Sequence, residues 1–282
     1  MKRMALINDL SGFGKCSLTA ALPVISVMGI QGCPLPTAIL TAQTEFDEYI
    51  CDDYTDRMDN FTAQWKKMGV TFDGIYSGYL QGAEQIAKVL HFLDEFQTED
   101  NIYLADPVLG TQGKPYAMCS SGMIKGMKEL VKRADAVTPN LTELCMLADA
   151  DYRELTAHRG ESGYVKRVEE VCAGLLENNE KPQSLIVTGI IREHDGREYI
   201  GNLAISGQES RYIENPYTGM RFSGTGDLFA SVISGSLVKG LSVFEAMEKA
   251  TDFLREAIEE ASADGIPSVH GVYYEKYLSK LL

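Results

Sequence analysis

The residues best equipped for chemistry lie in one stretch, Phe222-Ser223-Gly224-Thr225-Gly226-Asp227-Leu228-Phe229-Ala230. Glycines on either side of Thr225 permit a tight turn with bare N–H groups facing outward. The apolar-periodic run from Leu228 to about Lys239 reads as a helix whose positive dipole end adds to that turn, making an anion site. Asp227 falls in the first helical turn. Beside a bound phosphate its carboxylate could take the proton of an attacking hydroxyl, which is the chemistry of phosphoryl transfer to an alcohol. A plain loop in which Thr225 or Asp227 caps the helix uses the same residues, and this stretch alone does not separate the two readings.

Other polar residues stand at the carboxyl ends of strand-like runs, where open α/β sheets bind their ligands. Met4 to Ile7 leads into Asn8-Asp9-Leu10-Ser11-Gly12-Phe13-Gly14, and a helix is expected over Leu18 to Met28. Phe72 to Ser77 ends in Gly78-Tyr79, which places an aromatic ring suited to stacking before a helix over Gly82 to Phe96. Ile102 to Ala105 ends in Asp106-Pro107-Val108-Leu109-Gly110, where a proline-stiffened turn holds a carboxylate suited to a metal or to the phosphate side. A turn-capping aspartate is the alternative. Ala134 to Thr138 is followed by Pro139-Asn140-Leu141-Thr142-Glu143, with Glu143 in the first turn of the next helix, where it either supports the dipole or reaches a cation through water.

The elements that must position these groups alternate. Further helices are expected over Tyr54 to Met68, Ser120 to Lys132 and Ser162 to Asn178, and a strand over Ser184 to Gly189. Arg197 to Ile205 and Ser210 to Glu214 read as an antiparallel pair joined near Ser206-Gly207. Helices over Val243 to Ser262 and near Val272 to Leu281 close the chain. Residues 33–53, with Pro34, Pro36 and Thr44, lack a clear period and read as a solvated connection or a flap over a site. The alternation predicts an α/β fold, a mostly parallel central sheet with helices on both faces, in one domain over residues 1–282.

Lys plus Arg number 26 against 40 Asp plus Glu, a net charge of −14, which disfavours nucleic acid and anionic membrane as partners. No apolar run has the length of a membrane span and the N-terminus does not read as a signal peptide, so a cytoplasmic protein is expected. Six cysteines and four histidines are scattered without metal-ligand spacing; reduced thiols and no His/Cys metal site are expected. Gly12-Phe13-Gly14 lacks the third glycine of a dinucleotide loop, and Gly14-Lys15-Cys16 lacks the spacing of a P-loop.

With these motifs in order, the chain resembles the ribokinase-like superfamily, and within it the pyridoxal kinase branch. The resemblance rests on the Phe222–Ala230 stretch together with Ala105–Gly110, Val137–Glu143 and Ser77-Gly78-Tyr79, in the expected sequence order. It implies a three-layer sandwich that transfers phosphate from ATP to the 5′-hydroxymethyl group of pyridoxal, pyridoxamine or pyridoxine. By that resemblance Asp227 is the base and the amides of Gly224, Thr225 and Gly226 form the anion hole. Asp106 and Glu143 stand on the Mg²⁺ side. Thr138, Asn140 and Thr188 contact ATP together with Asp106 and Glu143, and Ser11, Tyr79 and the flap residue Thr44 hold the pyridine. A monovalent cation such as K⁺ and a homodimer are also implied.

The chain departs from the branch pattern at two places. Ser11-Gly12-Phe13-Gly14-Lys15-Cys16-Ser17 matches the expected Ser-Gly-Tyr-Val-Gly-Asn only at its start, and Thr41-Ala42-Gln43-Thr44 stands where Asn-His-Thr is usual. Both lie on the substrate side, so a hydroxymethylpyrimidine kinase stays open as the nearest rival. A binder of nucleotide or pyridoxal 5′-phosphate on the same fold is the non-catalytic alternative, disfavoured by a carboxylate that would sit beside phosphate.

Overall fold

A computed structural model of the chain describes residues 1–177 and 183–282; Asn178, the expected end of one helix, lies outside the described residues. The strands are β1 (Arg3–Ser11), β2 (Gln31–Leu40), β3 (Cys51–Asp53), β4 (Gly74–Ser77), β5 (Ile102–Ala105), β6 (Gly110–Thr111), β7 (Lys114–Pro115), β8 (Ala136–Val137), β9 (Ser184–His194), β10 (Arg197–Ser206) and β11 (Glu209–Pro216). Among the described residues nine of them form one sheet in the order β11-β10-β9-β8-β5-β4-β1-β2-β3, and β6 pairs with β7 as a small separate hairpin. From β9 across to β2 the pairs are parallel; β10, β11 and β3 add antiparallel edges.

The helices are α1 (Ser17–Val27), α2 (Thr55–Lys67), α3 (Ala83–Phe96), α4 (Ser121–Arg133), α5 (Leu141–Ala148), α6 (Tyr152–Thr156), α7 (Tyr164–Leu176), α8 (Thr225–Val238) and α9 (Val243–Ala263). Successive strand side chains point to opposite faces, so one run of apolar residues feeds two cores. Met4 and Leu6 of β1 join the layer of α1, α8 and α9, whereas Ala5 and Ile7 join the layer of α2 to α5 and α7. All four are completely buried, and truncating Leu6 or Ile7 to Ala would cost about 2–5 kcal/mol. No helix among the described residues is long and apolar enough to cross a membrane.

The structure differs from the sequence expectation at residues 33–53. Much of this segment is strand: β2 pairs with β1 despite its prolines, and β3 returns antiparallel along Ala38–Leu40. The Gln31 N–H donates to Lys2 O on the β1 side, so alternation turns the nitrogens of Pro34 and Pro36 toward the edge that β3 leaves uncovered. There a missing N–H costs no ladder bond. Only residues 41–50 remain as a flap. The C-terminal segment also differs, since Tyr274–Leu281 is a 3₁₀ helix packed on α1 and α9.

Candidate active site

The parallel strands end at a cavity of about 820 Å³, and all twelve residues singled out from the sequence line it. Gly224 is the N-cap of α8, at φ +78°, and a Cβ there would lie 1.8 Å from Lys15 O. The turn is therefore glycine for two reasons, its left-handed backbone and the close approach of the first loop. No side chain caps this helix, so the opening amides of α8 are left for a ligand. The Thr225 hydroxyl is not among those donors, because it bonds Phe222 O at 2.9 Å.

Asp227, in the first turn of α8, is half-buried and faces the carboxyl end of β1. Asn8 Nδ2 donates to its Oδ1 at 3.3 Å, and the Ser17 N–H also supports the carboxylate. Loss of solvent outweighs these bonds and lifts its pKa to about 6, with Asp9 adding repulsion. Such a carboxylate is ionised at neutral pH and more basic than a solvated one, a suitable proton acceptor.

Asp106 and Glu143 face the cavity from the next strands along. The Asn140 side chain caps α5 and the Glu143 side chain returns to the Asn140 N–H at 2.8 Å, a capping box. Glu143 also accepts from the Leu109 N–H at 3.2 Å, Asn140 Nδ2 donates to Gly110 O at 2.9 Å, and the Thr138 hydroxyl donates to Asp106 Oδ1 at 2.9 Å. Thr188 joins this group through a parallel bridge to Asn140. Burial raises both carboxyl groups, and for Asp106 the charges of Glu143 and Asp227 raise it further. Six carboxylates line the cavity against Arg221 and Arg255, and Arg255 already pairs with Glu259. Such a cavity calls for a cation. Its oxygen donors suit Mg²⁺, which takes one or two carboxylates and fills its remaining positions with water and substrate phosphates.

At the opposite end, Ser11 donates to Asp9 Oδ2 at 2.8 Å and Ser17 donates to Asp9 Oδ1. Asp9 is buried and lines the cavity. Tyr79 is half-buried, and Thr37 Oγ1 holds its carbonyl at 2.9 Å. Thr44 is exposed on the flap. Its neighbour Gln43 is buried and fastens the flap: Nε2 donates to Val269 O at 3.1 Å and Oε1 accepts the Glu45 N–H at 2.9 Å. Ser223, just before the Gly224 turn, donates to Glu45. Phe13, Phe46 and His270 form a ring cluster over this corner, with centroids 5.4 to 5.9 Å apart.

Sequence reasoning did not single out Asn8, Asp9 or Gln43 as site residues. The first two were legible only as polar residues at a strand end, and Gln43 owes its place to a contact 226 residues away. Nor did it single out Ile200, Tyr217, Leu254 and Ile258, which give the cavity part of its apolar lining. Cys119 is not among the cavity-lining residues, although Tyr116, Ala117 and Met118 are. The described cysteines are all free, Cys16, Cys145 and Cys172 being buried, and burial pushes the Cys119 thiol up.

Comparison with known proteins gives a consistent family. A structure from Bacteroides thetaiotaomicron, solved as a candidate phosphomethylpyrimidine kinase and crystallised with pyridoxal, is 37% identical with a TM-score of 0.90, covering 99% of this chain and 95% of that one. The hydroxymethylpyrimidine/phosphomethylpyrimidine kinase of Bacillus subtilis is 28% identical over 200 residues, 71% of this chain and 67% of its own length. The pyridoxal kinase PdxY of Actinobacillus pleuropneumoniae is 27% identical over 202 residues, 69% of this chain and 65% of its own length, so the match spans about two thirds of these curated relatives. The phosphomethylpyrimidine kinase family pattern matches residues 14–271, and with the site geometry above it establishes that the chain belongs to this kinase family, in the ribokinase-like branch that includes the pyridoxal kinases.

Proposed function

We propose that this chain phosphorylates the 5′-hydroxymethyl group of a B6 vitamer with ATP. The observation that carries the reading is the placement of Asp227 beside the uncapped start of α8, in a cavity that also contains Ser11 and Tyr79. The relative crystallised with pyridoxal, 37% identical over nearly the whole chain, supports the choice of substrate.

In this reading the pyridine ring lies against Tyr79 with Ser11 and Thr44 at its edge, and its hydroxymethyl group faces Asp227. Asp227 accepts the hydroxyl proton as the oxygen attacks the γ-phosphorus of ATP, whose bond to the β,γ-bridging oxygen breaks and releases ADP. The amides of Gly224, Thr225 and Gly226 then stabilise the charge on the transferred group, since they point at it before the reaction begins. Thr138, Asn140 and Thr188 orient the phosphates, and the apolar lining residues Ile200, Leu254 and Ile258 take the nucleotide base. Asp106 would hold Mg²⁺ directly and Glu143 through water, and the ion, when bound, neutralises phosphate charge. K⁺ as a further activator, one kinase domain over residues 1–282, a homodimer and a cytoplasmic location complete the proposal.

A coupled ADP-release assay with Mg²⁺ and ATP, run with pyridoxal, pyridoxamine, pyridoxine and hydroxymethylpyrimidine, tests it. Turnover of the pyridines is expected. Turnover of the pyrimidine alone would replace the substrate and keep the Asp227 mechanism; this second reading is favoured by the Bacillus subtilis relative. Inactivity on all four would overturn the proposal.

A further inference from the structure

Asn8 is completely buried near the end of β1, and every polar atom of its side chain is used. Oδ1 accepts two backbone N–H groups, Asp9 at 3.0 Å and Tyr79 at 2.8 Å. These donors fix the orientation of the amide, because the flipped form would press an NH₂ group against both of them. Nδ2 therefore has one direction left, toward Asp227 Oδ1, 3.3 Å away and 219 residues on in the chain. Among the described residues Asn8 is the one side chain hydrogen-bonded to that carboxylate. The space it occupies depends on Gly78: a Cβ there would lie 2.4 Å from Asn8 Nδ2 and 2.8 Å from Cγ. Gly78 does not have a positive φ, so its own backbone places no demand for glycine; the neighbouring amide does.

We infer that Asn8, seated in the space left by Gly78, is a positioning residue that aims the Asp227 carboxylate at the hydroxyl it deprotonates. The inference rests on the reading of Asp227 as the base. The titratable groups around Asp227 all oppose its charge or add none: Asp9 on β1, Asp106 after β5, the Cys16 thiol ahead of α1, the Tyr76 phenol on β4 and the Tyr116 phenol after β7. The Asn8 amide, the Ser17 N–H and the N–H of Asp227 itself favour the ionised form, and Asn8 is the one side chain among them. Removing Asn8 therefore both frees the carboxylate to rotate and makes it harder to ionise.

The test is the pH dependence of kcat for the unaltered chain and two variants, Asn8→Ala and Gly78→Ala, the second displacing the amide without replacing it. Both are expected to lower the plateau about 10- to 100-fold, as for a misplaced reacting group. Both should also move the acid limb to higher pH by about 0.5–1 unit, the direction required when a base loses a hydrogen-bond donor. A merely structural role would lower activity without moving the limb, so an unmoved limb in both variants overturns the inference. Failure of both to fold would mark Asn8 as framework and overturn it too. An Asp227→Asn variant with wild-type turnover would remove the base itself, whereas an inactive Asp227→Asn alongside an unmoved limb would dismiss Asn8 alone.

Discussion

The two ends of the cavity are built by different means. At the phosphate end each motif carries its own support: Asn140 caps α5 and bonds Glu143 three residues on, and Asp227 rides on the helix whose N-cap is Gly224. At the flap end the partners come from distant segments, with Gln43 on Val269, Glu45 on Ser223 and Lys15 on Glu275 at 2.8 Å. The first kind of site is as rigid as the helix ends that form it. The second is held by a few bonds between distant segments, each worth about 1 kcal/mol. In the proposed reading, the phosphate chemistry falls at the end supported by local bonds and the alcohol substrate at the end tied across distant segments.

The contrast can be broken most severely at Asp227. Asp227→Asn is expected to reduce kcat by about 10²–10⁴-fold while ATP still binds, measured by steady-state kinetics and nucleotide titration. The wild type should lose activity as pH falls through about 6, where Asp227, the proposed base, takes up a proton. The same variant should gain stability. The folded pKa lies above the value of 3.8 for a free carboxyl, so the folded state binds the proton more tightly and the Asp227 contribution is lost as pH rises through about 6. An amide escapes that penalty, about 1–3 kcal/mol after allowing for partial solvent access. Thermal unfolding should therefore show a larger gain for Asp227→Asn at pH 8 than at pH 5.

Gly224→Ala comes next. Its left-handed backbone and the 1.8 Å approach to Lys15 O leave a methyl group no room. A loss of about 10²–10³-fold in kcat is expected from displaced anion-hole amides, with about 1–3 kcal/mol of destabilisation in denaturant melts. The smallest effect belongs to the flap end. Gln43→Ala removes the tie to Val269 and should raise the KM for the alcohol substrate several-fold, about what one or two lost hydrogen bonds cost. It should leave the KM for ATP unchanged; an equal change in both would show that the two ends are not independent.

The legibility of the chain follows the same division. The capping pattern from Asn140 to Glu143, the Gly224-Thr225-Gly226-Asp227 turn and the strand-end Asp106 rest on local bonds and helix periodicity, which the sequence carries within a few residues. The α/β order was legible because buried parallel strands are continuous apolar runs separated by amphipathic helices. The segment 33–53 was not, since its prolines argue against strand until β3 is known to leave their edge uncovered.

By itself, the sequence determined the alternation of elements and the net negative charge, and with the family resemblance it singled out twelve site positions. Only the tertiary structure decided that those twelve face one cavity, that Asn8 and Asp9 stand beside Asp227, and that Gln43 closes a flap on Val269. The physical reason is range. Caps, turns and periodicity act over one or two helical turns, whereas a base acquires its partners and its pKa from side chains that strand order brings together from across the chain.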